Sequence, residues 1–111
     1  MTNPILPAGE SVFNQAVVAN AAILAGDVRP TQPRSTYRIT VSLSAAVKFG
    51  VVVKKSATTF TTYLKNGDAI PASAVQTFVL GVTSEESYNF TVDGNATVQK
   101  LQVDEVLGGV I

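Results

Sequence analysis

Between Arg34 and Ser44 apolar and polar side chains alternate: Tyr37, Ile39, Val41 and Leu43 share one face, and Arg38, Thr40 and Ser42 share the other. A period of two marks a half-buried strand, because successive side chains on extended backbone point to opposite sides. The pattern returns in Val47, Phe49, Val51 and Val53, with Lys48 opposed and Lys54-Lys55 closing the run. Thr58 to Leu64 reads as a third strand. In a fourth, Ala74, Gln76, Phe78, Leu80 and Val82 alternate with Val75, Thr77 and Val79, and two more strands follow through Tyr88, Phe90 and Val92 and from Ala96 to Val106. Asn66-Gly67, Ser84 to Ser87 and Asp93-Gly94 supply turns between them, and Pro71, which lacks an N–H, confines Ala69 to Ala72 to a loop or an edge. Gly108-Gly109 releases a short tail. The 17 Val and 12 Thr make up about a quarter of the 111 residues, and β-branched side chains favour a pleated surface.

Six or seven short strands at this spacing predict a mainly β chain folded as a single antiparallel β-sandwich, with jelly-roll connectivity as one option. Residues 34–111 form the sandwich body, and residues 1–33 form an N-terminal region within the same structural domain. Pro4, Pro7 and Gly9 make residues 1–9 an extended arm. Glu10 to Ala25 fits two periods. A helix would align Val12, Ala16, Ala19 and Ile23, whereas a strand would align Phe13, Val17, Ala19, Ala21 and Ile23. Extended structure is the favoured reading, because the rest of the domain offers sheet partners.

The chain has no Cys and no His. That removes the Ser-His-Asp triad, the Cys-His pair, thiol redox chemistry and the usual zinc sites, leaving carboxylate, Lys, Tyr or Ser/Thr chemistry. No signal peptide is expected from Met1 to Pro7, which has neither a basic stretch nor an apolar run. No membrane span is expected either, since no stretch approaches the roughly 18 apolar residues required. Eight basic and eight acidic side chains cancel, so a phosphate-tracking nucleic-acid surface is not expected. The halves differ, however: residues 1–55 carry net +4 and residues 56–111 net −4. Either the halves interleave and pair internally, or a head-to-tail contact uses the asymmetry. Charged residues are only 14% of the chain, against about 25% in an average soluble domain, which points to surface buried against other chains.

Candidate chemical groups are few. Asp104-Glu105 are adjacent on a strand and face opposite ways, so they cannot act together on one bond. Glu85-Glu86 reads as solvated charge in a turn. Asp93-Gly94-Asn95 resembles a fragment of a calcium loop but lacks its spaced ligands and terminal glutamate, so no metal and no cofactor is expected. Lys48, Lys54 and Lys55 make a small basic spot. Tyr37, Tyr63 and Tyr88 are candidates for a sugar-stacking platform, with core packing as the competing use. Asn89-Phe-Thr91 and Asn95-Ala-Thr97 match the glycosylation acceptor pattern by chance.

The layout from Arg34 to Val106 resembles that of small β-rich structural proteins of tailed-phage and related virions. The resemblance is carried by Leu64-Lys-Asn-Gly67 with Ala69-Ile-Pro-Ala72, then Val75-Gln-Thr-Phe-Val-Leu80, Tyr88-Asn-Phe-Thr-Val92 and Val98-Gln-Lys-Leu-Gln-Val-Asp-Glu-Val106. It implies a non-enzymatic subunit of the capsid-decoration or minor-capsid kind, made in the host cytoplasm and resident in the virion. Its partners would be the major capsid or other virion proteins and further copies of itself, a trimer being one arrangement. Assembly contacts are expected at Met1, Ile5, Leu6, Pro7 and Phe13, because an apolar arm gains little by docking on its own domain. The alternative is a small β-sandwich module that binds carbohydrate or another surface.

Overall fold

The computed structural model of the chain describes residues 5–106, with side chains from residue 11 onward. The strands are β1 (Ile5–Val17), β2 (Arg34–Leu43), β3 (Phe49–Lys55), β4 (Thr58–Tyr63), β5 (Gln76–Thr83), β6 (Ser87–Val92) and β7 (Ala96–Val106). They form a four-stranded sheet in the order β1-β7-β2-β5 and a three-stranded sheet in the order β4-β3-β6, with every pairing antiparallel. The fold is an antiparallel β-sandwich, as the alternation predicts.

The segment 20–28 lies along the outer edge of β6. Asn20 and Ile23 donate their backbone N–H groups to the carbonyls of Val92 and Phe90, at 2.7 and 2.8 Å, and Val28 exchanges both backbone bonds with Tyr88 at 2.8 Å. With this segment in the eighth strand position, the second sheet reads segment-β6-β3-β4. Set against β1-β7-β2-β5, that is the strand order of a jelly roll. Residues 10–25 are therefore strand through Val17, followed by a turn at residues 19–20 and bends at residues 23–26. From Ile5 onward the expected N-terminal arm is an edge strand, paired through Ile5, Leu6 and Pro7 with Val106, Glu105 and Asp104.

The alternation in β2 decides its register. Tyr37, Ile39, Val41 and Leu43 are all wholly buried, and Arg38 between them is exposed. Burying one such apolar side chain is worth about 1.5–3 kcal/mol, so a one-residue slip that turned all four outward would forfeit most of the core. Opposite them, Phe49 and Phe90 stack with ring centres 5.6 Å apart, and Tyr37 meets Tyr88 edge-on at 5.7 Å across the two sheets. Ile23, Leu24 and Val28 join the same core, which ties the N-terminal region to the body.

The turns follow the sequence signals. Lys65, Asn66 and Gly67 all have positive φ in a 3-10 turn after β4. Beyond it Ile70 is buried and bridges to Val47, so the Pro71 region is anchored by one apolar residue.

Candidate functional site

The two flanks of the sandwich differ. Segment 20–28 covers the outer edge of β6, whereas β4 and β5 lie at the other flank with no further strand beyond them among the described residues. Residues Thr58 to Thr62 of β4 are exposed on both faces, and Tyr63 is half-buried. In β5 the pattern alternates, with Phe78 and Leu80 half-buried toward the core and Thr77, Val79 and Gly81 exposed outward. Between the two edges lies an open groove of about 270 Å³, lined chiefly by Val51, Val53, Phe60, Leu80, Glu86 and Tyr88.

Among the described side chains, the large apolar ones exposed to solvent are Phe13, Val18, Phe60, Val75 and Val79, with exposures of 60%, 62%, 47%, 64% and 67%. Each sits on an edge strand or immediately beside one: β1 for the first two, β4 for Phe60, β5 for the last two. Scattered single apolar residues are ordinary on any surface. Here they follow the sheet edges, where backbone N–H and C=O groups also lack strand partners.

The carboxylates that the sequence offers as chemical candidates serve the fold. Glu105 lies inward and wholly buried; it accepts bonds from the Thr31 N–H at 3.0 Å and the Thr31 hydroxyl at 2.9 Å. Asp104 lies on the opposite face, 3.6 Å from the Arg38 guanidinium. The sequence placed the pair on opposite faces; it gave no sign that Glu105 would be sealed inside. Asp93 accepts the Lys48 N–H at 2.7 Å and Asn95 the Ala19 N–H at 2.9 Å, so the calcium-like fragment is a bonded turn. Among the described residues no cluster of three metal-ligating side chains forms.

The basic spot is dispersed. Lys54 pairs with Asp27 at 2.9 Å, Lys55 with Glu85 at 3.9 Å, and the Lys48 ammonium lies 5.8 Å from the centre of the Tyr63 ring. The Lys54 ammonium, then the Asn89 amide, hold the Asp27 carboxyl below its ordinary value. The Arg38–Asp104 and Lys55–Glu85 pairs join the two oppositely charged halves within one molecule.

The tyrosines do not gather at the surface. Tyr37 and Tyr88 are core residues, and Tyr63 is half-buried against Gly50. Burial raises the Tyr37 phenol above its ordinary value, with the Glu105 carboxylate adding to the effect. Burial raises Tyr88 too, against the opposing bond from the Thr83 N–H. Asn89 and Thr91 are buried as well, so the first acceptor-like sequence is closed to a glycosylating enzyme in the folded chain.

Of the expected assembly residues, Phe13 is exposed on β1 opposite Lys100. Ile5, Leu6 and Pro7 lie on the same edge strand by their backbone, and Met1 falls outside the described residues. Sequence reasoning did not single out Phe60, Val75 and Val79. The available signal was the uncharged run from Val75 to Thr83, in which both alternating sets contain apolar residues.

No protein-family model matches the chain, and no curated protein matches it. Among solved structures, a carbohydrate-binding module from a Cellvibrio mixtus lichenase, in complex with cellotriose, aligns with 94% of this chain and 98% of its own. The TM-score is 0.40 and the sequence identity 11%. No residue of the present chain is assigned from that likeness.

Proposed function

We propose that this protein is a non-enzymatic virion structural subunit of the capsid-decoration or minor-capsid kind, which works by binding other protein chains. The observation that carries the reading is the placement of exposed apolar side chains along the uncovered strand edges β1, β4 and β5. Such edges are templates for pairing, and natural proteins that stay alone usually blunt them with charge, proline or covering chain. A low charge content across the sequence agrees with a surface meant to be covered.

The jelly-roll order serves both viral capsid and lectin domains, so the fold by itself does not choose between them. The virion assignment rests on the resemblance of residues 34–106 to virion structural proteins. The sugar-binding alternative loses its proposed platform with Tyr37 and Tyr88 in the core. The direct test is quantitative mass spectrometry of density-purified viral particles from the source, counting this chain against the most abundant capsid subunit. A ratio near that of the capsid lattice supports decoration, and a few copies per particle supports a minor component. Absence from the particles overturns the reading.

A further inference from the structure

The outer edge of β5 is complementary to itself. Register and hydrogen bonding fix which groups that edge offers. Arg34 opposes Thr83 across the β2–β5 pair, and the Ser84 N–H donates to the Pro33 carbonyl at 3.2 Å. Bonding direction alternates along a strand, so Val82, Leu80 and Phe78 bond toward β2, while Thr83, Gly81, Val79 and Thr77 turn their backbone groups to the free side. The Thr83 N–H bears this out, since it is taken by the Tyr88 hydroxyl at 3.0 Å. The groups of Thr77, Val79 and Gly81 have no partner among the described residues.

We propose that β5 pairs antiparallel with β5 of a second copy about a two-fold axis at Val79, joining two four-stranded sheets into one of eight. This rests on the reading of the chain as an assembly subunit and names the partner of that flank. A two-fold axis perpendicular to a sheet preserves its faces, so inward residues must oppose inward residues. That parity permits long overlaps centred on Val79 or on Leu80. The Leu80-centred register requires the backbone groups of Thr83, one of which the Tyr88 hydroxyl already occupies. The Val79-centred register uses only the free groups. Val79 then faces its own copy, and Thr77 of each copy faces Gly81 of the other, each pair exchanging two backbone bonds. Phe78 of one copy meets Leu80 of the other on the inward face, beside the groove that contains Leu80 and Phe60. On the outward face nothing lies within 4 Å of where a Cβ of Gly81 would stand, which leaves room for Thr77.

Charge favours β5 over β4. Residues 75–83 carry no charge, whereas Lys55, which opposes Thr58 across the β3–β4 hairpin, and Lys65, just after Tyr63, place a cation near each end of β4. Across the β5 pair, Arg38 lies next to Val79 and is separated from its symmetry mate by three strand spacings, about 14 Å. That exceeds the Debye length of about 8 Å at physiological salt.

The test is sedimentation velocity from about 1 to 500 μM, the span in which edge pairs weaker than a standard interface associate. The wild type is expected to shift from 11.6 kDa toward twice that mass. Val79→Lys, which places two ammonium groups opposite each other at an exposed position, is expected to weaken the dimer at least about tenfold with an unchanged circular dichroism spectrum. Phe13→Lys, on the far edge, is expected to leave it intact. Since the chain has no Cys, Val79→Cys reports position cleanly. A short bismaleimide should link two copies through residue 79, about 5.5 Å apart, but not through Val75→Cys, about 27 Å apart. A monomer throughout, or a dimer broken by Phe13→Lys and indifferent to Val79→Lys, overturns the proposal. A monomeric chain that is present on particles removes the β5 pairing and leaves the virion reading. A Val79-dependent dimer absent from particles does the reverse.

Discussion

Replacing Tyr37 with Phe should make this protein more stable. Tyr37 is wholly buried between the sheets, and its hydroxyl has no hydrogen-bond partner among the described residues. A buried polar group without a partner costs about 1–3 kcal/mol, because it surrendered its water and gained nothing. The ring contacts, including the edge-on meeting with Tyr88, survive in Phe. We expect Tyr37→Phe to gain about 1 kcal/mol at pH 7, which for a domain of this size raises the melting temperature by about 4–8 °C. A second arm uses pH. The Tyr37 phenol is raised from its ordinary 10.0 in the fold, so the unfolded chain ionises first. Its contribution is whole below about pH 10 and is lost as pH climbs from there toward the folded value. The variant lacks that loss, so the ratio of its folding constant to that of the wild type should grow about tenfold per pH unit above 10. Urea unfolding of both proteins at pH 7, 10 and 11 measures both effects. A variant less stable at pH 7 by 1 kcal/mol or more would show that the hydroxyl is bonded, and would refute the reasoning.

Three further outcomes are expected. Asn89→Ala should cost about 3 kcal/mol in urea unfolding and speed amide exchange across residues 20–28, because the Asn89 amide bonds the Leu24 N–H, the Leu24 carbonyl and Asp27 from a buried position. Asp27→Asn should flatten the acid limb of the stability profile: the lowered Asp27 pKa gives stability that is present above its ordinary 3.8 and lost as pH falls below it. Denaturation midpoints between pH 6 and 2.5 check this, and identical acid limbs would sink it. Gly50→Val should destabilise by about 1–3 kcal/mol in thermal melts, since even a Cβ at Gly50 stands 3.0 Å from Thr61 Cγ2 and Tyr63 Cδ1.

Local pattern was enough for most strands. Alternation placed β2, β3 and β5 to β7 within a few residues, and Asn66-Gly67 marked the turn after β4, because a period of two and a tolerance of positive φ are properties of short stretches of chain. The same alternation left residues 10–25 open, since Ile23 shares a helical face with Val12 and an extended face with Val17, until pairing with β7 makes residues up to Val17 a strand and the edge of β6 takes up the segment beyond. Asn89 matches an acceptor pattern by chance, and for Tyr88 the sequence left a platform and core packing as competing uses; both are buried because segment 20–28 and the opposing sheet cover β6. Glu105 occupies an inward position in the period of β7, yet only the approach of Thr31, 74 residues away in sequence, makes a buried carboxylate tenable there. Which strands stand at an edge was not legible either. Edge position depends on pairings between distant segments, and those pairings leave the backbone groups of Thr77, Val79 and Gly81 without a partner among the described residues, while β2 beside them is paired on both sides.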